Sequence, residues 1–153
     1  MSSLSVSNPH NGEKLHEIQL DGPDAVDEAY SRAVTAQQKW AERGPRERAA
    51  VIDSLLHTIE NRREEIVSEL VREAGSSEEK AHAEIDTATG IIEQARGYPG
   101  RVSGSIEESN IDGKINHVHR VPKGVVTAIT AWNFPFHLAS RVTAPALALG
   151  NAV

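Results

Sequence analysis

The stretch that decides the fold is "GVVTAITAWNFPFHLASRVTAPALALGNAV", which runs from Gly124 to Val153. It opens with the β-branched run 125–129, which is typical of a strand buried in a parallel sheet. A turn follows, and then an apolar segment predicts a helix over 136–149 that ends at Gly150. The final residues "NAV" are expected to begin a second strand. The order strand, turn, helix, strand indicates the start of a parallel α/β unit.

Upstream, residues 21–96 have the spacing of amphipathic helices and carry no recognisable chemistry. Apolar residues recur at three- and four-residue steps, which predicts four helices packed as a layer. The helices are expected to run from Pro23 to the stop at Gly44 and Pro45, from Pro45 to Glu60, over the apolar stripe 66–74 with a stop at Gly75, and from Ser77 to Arg96. In the first helix this spacing gives one apolar face, formed by Val26, Ala29, Tyr30, Ala33, Val34 and Trp40.

Two strand-forming regions flank these helices. Residues 1–20 include the turn signal Asn11-Gly12 and predict an N-terminal hairpin or arm, with a mobile terminus as the open alternative. Residues 97–123 are rich in turn formers and contain "KINHVHRVPKG", which indicates strands. The sequence therefore divides into an arm at 1–20, helices at 21–96, a loop-and-strand region at 97–123 and the start of a sheet at 124–153.

Composition restricts the class of protein. The 153 residues carry a net charge of −6, which argues against nucleic acid or an anionic membrane as a partner. There are no cysteines, so disulfides and cysteine-built zinc sites are excluded. No apolar run approaches the roughly 18–20 residues of a membrane span. A globular cytoplasmic protein is the default expectation.

Two polar features are candidates for function. His117 and His119 would share one face of a strand and could bind zinc, but the spacing offers no third ligand, so no metal site is predicted. Asn133 follows the predicted strand and precedes the predicted helix. Its amide could cap that helix, or it could donate a hydrogen bond to an oxyanion at the carboxyl end of the sheet. Spacing alone favours the cap, because capping is the commoner use of Asn at such a junction.

The same residues carry a resemblance to a known family. The last segment fits P-x-G-V-V-x-x-I-x-x-W-N-F-P followed by A-P-A-L-A-x-G-N-x-V, and so resembles the N-terminal part of the aldehyde dehydrogenase superfamily. Weaker similarity covers the rest of the chain, including W-x-x-x-x-P-x-x-R from Trp40 to Arg48. The resemblance implies an α/β fold in which the helical layer leads into the first strands of a parallel, Rossmann-like cofactor-binding sheet, incomplete here. The wording is nearest to benzaldehyde- and vanillin-type members, which hints at aromatic aldehydes.

The resemblance also implies an activity and a site. The family oxidises aldehydes to carboxylic acids with NAD or NADP, through attack by a cysteine, hydride transfer and hydrolysis by a glutamate-activated water. Asn133 matches the asparagine whose amide holds the substrate oxygen, so the resemblance favours this role over the cap. Ile129, Thr130, Ala131 and Trp132 match the turn that packs along the dinucleotide. The family usually has proline where this chain has Ala131, and losing it frees φ at that residue.

The absent cysteine bears on what the chain can do alone. The family's nucleophile and its glutamate base lie in later sequence, so the resemblance implies the N-terminal part of a longer enzyme that is inactive by itself. It also implies a homo-oligomer, dimer or tetramer, because a hairpin in the 97–123 region belongs to the family's oligomerisation arm. The open alternative is a non-catalytic helical binding or assembly module. Reading the gene beyond Val153 distinguishes the two.

Overall fold

The computed structural model describes residues 2–153, in which five helices and four strands follow one another along the chain. The strands of the N-terminal hairpin are β1 (Ser3–Ser7) and β2 (Lys14–Gln19). Four consecutive helices come next, α1 (Pro23–Ala41), α2 (Pro45–Asn61), α3 (Arg63–Ala74) and α4 (Glu78–Arg96). A second hairpin of β3 (Ser105–Glu108) and β4 (Ile115–Val118) precedes the last helix, α5 (Pro135–Ala148).

Helix α4 lies at the centre of the core. It packs against α2, α3 and α5. Its buried face repeats at three- and four-residue steps, and many of its members are alanine, which lets neighbouring helices approach closely. Ala144 and Ala148 of α5 meet this face and are themselves fully buried. The buried apolar residues of the core are Ile52, Ile59, Val67, Leu70, Ala81, Ile85, Ile92, Ala95, Ala144 and Ala148.

The predicted boundaries of the helical layer are confirmed where local chemistry sets them. Gly75 ends α3 with a φ of 64°, the left-handed conformation that favours glycine at a helix C-terminus. Ser77 caps α4, because its hydroxyl accepts a hydrogen bond from the backbone N–H of Lys80 at 3.2 Å. The N-terminal hairpin is also confirmed, with Gly12 at a φ of 76° in the turn between its strands.

The apolar face of α1 is left uncovered. None of its residues is buried, and Val26, Tyr30 and Val34 all stand exposed. The spacing predicted the helix correctly, since helical period is a local property. Burial requires a second element to cover the stripe, and no other helix or strand within residues 2–153 packs extensively on α1.

The parallel sheet predicted around 125–129 is reduced to one contact. Val125 pairs with Ala152 in an isolated parallel bridge, in which Val126 N donates to Ala152 O at 2.8 Å. The rest of the predicted strand is irregular, and Ile129 is 95% exposed rather than buried. A strand needs neighbours to complete its ladder, and within residues 2–153 this segment pairs only with Ala152. The sheets within residues 2–153 are the two antiparallel hairpins.

No helix between residues 2 and 153 is both long enough and apolar enough to cross a bilayer.

Candidate active site at the start of the last helix

The residues predicted to form the site lie together in the segment that joins the parallel bridge to α5. Ile129, Thr130, Ala131, Trp132 and Asn133 are consecutive and all exposed. The Trp132 indole is 87% accessible, although tryptophan is usually well covered in a folded protein. The segment therefore presents a continuous exposed surface that a ligand could contact.

Asn133 does not cap α5. The N-cap residue is Phe134, and it makes no side-chain capping hydrogen bond. Asn133 lies one residue before it, in an exposed turn. Because Pro135 occupies the first helical position and has no N–H, the first donors of the helix belong to Phe136 and His137. The interpretation of Asn133 as a cap, which spacing alone favoured, is wrong.

The cap comes instead from Glu84 in the middle of α4. Its Oε1 accepts hydrogen bonds from Phe136 N at 2.8 Å and from His137 N at 3.1 Å. Glu84 is only 2% exposed, so these bonds lie inside the protein. A carboxylate at this place also interacts favourably with the positive end of the helix dipole. Glu84 therefore fixes the beginning of α5 against the core.

Lys80 lies one helical turn before Glu84 on α4, and its ammonium group lies close to the Glu84 carboxylate. Its Nζ is 3.6 Å from Glu84 Oε2, close enough for an ion pair but beyond hydrogen-bond distance, so Oε2 accepts no hydrogen bond. The same Nζ donates to Ser76 Oγ at 2.8 Å and lies 4.4 Å from the centre of the Phe134 ring. The ammonium group thus contacts the residue that directly follows Asn133.

Glu84 was not predicted from the sequence, although a signal for it was present. It lies three residues after Ala81 and four before Ala88, on the stripe that was expected to be buried. A glutamate on the apolar face of a helix is costly unless it has partners, so its position indicates a specific polar contact.

The C-terminal end of α5 is also held by side chains from other helices. Trp40 Nε1 donates to Leu147 O at 2.8 Å, and Arg48 Nε donates to Ala148 O at 3.0 Å. The last carbonyls of a helix lack partners within the helix, so these donors supply what the backbone cannot. The spacing W-x-x-x-x-P-x-x-R, noted in the sequence as a family habit, has this physical role here.

Asn151 ties the end of α5 to the segment before the site. Its Oδ1 accepts from Lys123 N at 2.7 Å and from Gly124 N at 3.1 Å, and its Nδ2 donates to Ala146 O at 3.1 Å. All its amide groups are therefore used within the protein, in contrast to the exposed amide of Asn133.

A cleft of about 690 Å³ lies beside the turn, between α3 and the first residues of α5. Arg62 and Glu65 are on its rim, and the hydrogen bond from Arg62 lowers the pKa of the Glu65 carboxyl below its ordinary value. The cleft is lined by Pro9, Arg62, Glu65, Ile66, Glu69, Leu70, Glu73, Ala74, Trp132, Pro135, Phe136 and Ala139.

His117 of β4 and His119, just after this strand, do not form part of this site. The rings of His117 and His119 stack with their centres 6.3 Å apart. Among residues 2–153 no group of three or more His, Asp or Glu side chains is arranged to hold a metal ion.

Comparison with known proteins identifies the family. The family model described as "Aldehyde dehydrogenase family" matches residues 1–153, the whole chain. The chain belongs to the aldehyde dehydrogenase family. The resemblance stated from the WNFP motif is thereby confirmed.

Individual relatives show which members it resembles. A vanillin dehydrogenase of Corynebacterium glutamicum is 45% identical over 146 residues, which are 95% of this chain and 30% of the relative. The crystal structure of an NAD-dependent benzaldehyde dehydrogenase from the same species is 43% identical, with a TM-score of 0.96 over 98% of this chain and 33% of that one. A NADP-dependent glyceraldehyde-3-phosphate dehydrogenase of Bacillus halodurans, solved with NADP, is 30% identical with a TM-score of 0.91, over 98% of this chain and 33% of that one.

The matched region is only a part of each relative. The chain spans about a third of the length of these relatives and has the fold of that part. It belongs to an oxidoreductase family and is related to vanillin and benzaldehyde dehydrogenases, as the sequence predicted.

Proposed function

We propose that this chain supplies the oxyanion donor and part of the cofactor surface of an NAD(P)⁺-dependent dehydrogenase for aromatic aldehydes. The observation that carries the proposal is the free amide of Asn133. It lies at the start of α5 in a turn that bears the family motif, and the capping work that would occupy it is done by Glu84. The aromatic substrate class is taken from the relatives named vanillin and benzaldehyde dehydrogenase.

The chemistry explains why a neutral amide suits position 133. When a nucleophile adds to an aldehyde carbonyl, negative charge develops on the oxygen, and Asn133 Nδ2 would donate a hydrogen bond to it. An Asp there would repel the charge, and a Lys could trap the aldehyde as an imine. Since the 153 residues contain no cysteine, we assign the nucleophile and the glutamate base to sequence outside them.

Residues 129–132 would form the adjoining cofactor surface. The turn exposes Ile129, Thr130, Ala131 and Trp132 side by side, directly before Asn133. NAD(P)⁺ bound there would accept the hydride that leaves the substrate carbon. These four residues would contact it partly through main-chain atoms, so changes of side chain at Ala131 are expected to be tolerated better than changes at Asn133.

The test is kinetic and uses the full-length protein with benzaldehyde and vanillin as substrates. Asn133→Ala is expected to lower kcat by roughly 10²–10³, the usual effect of removing one oxyanion donor, while the dissociation constant for NAD(P)⁺ changes little. Asn61→Ala is the matched control, because Asn61 is also an exposed asparagine, at the end of α2, and does not line the cleft. Turnover by Asn133→Ala equal to that of the control would refute the oxyanion role.

We also propose that the hairpin β3–β4 joins copies of the protein into a homo-oligomer. It has only two strands, and Ile106, Ile111 and Ile115 are exposed on it or in its turn. Such edges and apolar groups are suited to being covered by another subunit. A monomer in sedimentation velocity would contradict this proposal. A cytoplasmic location stays a prediction, which fractionation of the source cells would test.

A further inference from the structure

We infer that Glu84 and Lys80 are positioning residues that hold the turn around Asn133 and keep its amide free for the substrate. The inference rests on the proposed function of Asn133 and adds two residues from a different helix, 49 and 53 positions earlier in the chain. Neither residue lies in the motif that carries the family resemblance.

Glu84 binds the two N–H groups at the start of α5 that a capping side chain would bind. Phe136 and His137 are the second and third residues of α5, and their N–H groups are the ones that a capping side chain ordinarily binds. In most helices that side chain comes from the residue just before the helix. Here that residue is Phe134, which cannot accept a hydrogen bond, and Glu84 takes its place through Oε1.

Asn133 could otherwise compete for the N–H groups of Phe136 and His137. Asn133 is the nearest preceding residue whose side chain could accept from them, since Phe134 and Pro135 have no side-chain acceptor. With Glu84 in place, both N–H groups are already satisfied inside the core. The Asn133 amide therefore gains nothing by folding back onto the helix, and it stays exposed in the turn.

Phe134 links Asn133 to the helix and is contacted by Lys80. Lys80 Nζ lies 4.4 Å from the centre of its ring and 3.6 Å from Glu84 Oε2. An ammonium group over an aromatic face is attracted to it, and the attraction strengthens where water is partly excluded. Lys80 thus balances the buried charge of Glu84 and restrains the residue that follows Asn133.

The decisive experiment is a double-mutant cycle in the full-length enzyme with benzaldehyde and NAD⁺. Glu84→Ala removes the acceptor for Phe136 N and His137 N, and with it the ion pair to Lys80. We expect it to lower kcat by about 10- to 100-fold, the scale of a small misplacement of a catalytic group, with the dissociation constant for NAD⁺ unchanged within about twofold. Glu79→Ala is the control, because Glu79 is exposed on the same helix and its replacement should leave kcat unaltered.

The cycle separates positioning from general stability. In an Asn133→Ala background, Glu84→Ala should lower kcat by less than about twofold, since the group that Glu84 positions is gone. A purely structural Glu84 would reduce kcat by the same factor in both backgrounds, and that result would overturn the inference. If Asn133→Ala itself leaves kcat unchanged, the proposed function fails instead.

Lys80 provides a second test that leaves the buried carboxylate in place. Lys80→Met should lower kcat, and Lys80→Arg should restore most of it, because Arg keeps both the charge and the contact with the ring. Equal rates for the Met and Arg variants would count against the role of Lys80. This pair also decides the question if Glu84→Ala does not fold.

A crystal structure of the Glu84→Ala enzyme gives a readout that does not depend on turnover. With Glu84 removed, the Asn133 Oδ1 should accept from the free N–H of Phe136 at roughly 3 Å. An Asn133 side chain that keeps its exposed position in this variant would show that Glu84 does not hold the amide free, and the inference would be wrong.

Discussion

Asn151→Ala tests how strongly the end of α5 is joined to the segment that leads to the site. In the structure the Asn151 side chain accepts two hydrogen bonds, from Lys123 N and Gly124 N, and donates one to Ala146 O. Alanine removes all three, and only the Ala146 carbonyl retains another partner, the backbone N–H of residue 151. The substitution therefore leaves two backbone donors without acceptors.

The magnitude follows from these bonds. Each intramolecular hydrogen bond contributes about 1 kcal/mol net, and the donors here are partly buried, so the expected loss in free energy of unfolding is about 2–3 kcal/mol. For a unit of this size that corresponds to a fall in Tm of roughly 4–12 °C. Asn151→Asp keeps an acceptor for Lys123 N and Gly124 N but loses the donor to Ala146, so its effect should be clearly smaller.

Urea unfolding and thermal melts, both followed by circular dichroism, measure these differences. Asn61→Ala is again the matched control, because Asn61 is exposed at the end of α2 and its replacement should shift Tm very little. Two results would refute the reasoning. One is an Asn151→Ala variant as stable as the control, and the other is an Asn151→Asp variant as unstable as Asn151→Ala.

Two further predictions concern the backbone and the rim of the cleft. Gly150 has a φ of 88°, and a Cβ there would approach Pro122 Cγ to 2.9 Å. In a thermal melt Gly150→Ala should therefore lower the free energy of unfolding by about 1–3 kcal/mol. Gly90 is the control, because it lies in open space on a helix and Gly90→Ala should not destabilise the protein. The hydrogen bond from Arg62 lowers the pKa of Glu65, so the pair's contribution is present at neutral pH and is lost as pH falls through that lowered pKa. In an NMR titration Arg62→Gln should therefore raise the Glu65 pKa towards its ordinary value, and an unchanged pKa would contradict the pairing.

The features that the sequence predicted correctly are those set by near neighbours in the chain. The helical period, the left-handed stop at Gly75 and the turn at Gly12 each depend on a few adjacent residues. The WNFP motif gave the family, which the comparison with known proteins confirms. The position of Asn133 in a turn between the bridge and the last helix could also be anticipated from the order of the elements.

The errors arise where the outcome depends on a distant partner. The 125–129 run has the composition of a buried strand, yet only Val125 finds a partner, in residue Ala152. The apolar stripe of α1, with Val26 and Tyr30, forms the predicted helix, but the stripe alone does not show whether another element covers it. The cap of α5 is 52 residues away from the helix that it serves, so no local pattern around Asn133 could reveal Glu84.

The contacts at the two ends of α5 explain why Asn133, among the candidate residues, is the one whose place is fixed. Glu84 holds the start of the helix, and Trp40 and Arg48 hold its last carbonyls, so the helix cannot shift along its axis without breaking bonds at both ends. Catalytic groups need placement within about 0.5 Å, which rigid elements provide better than loops. Asn133 lies one residue before the N-cap and takes its position from this anchored helix. Ile129 lies four residues earlier, beyond the support of both the helix and the bridge, so the proposed cofactor surface should adapt to its ligand while the proposed oxyanion donor, Asn133, stays in place.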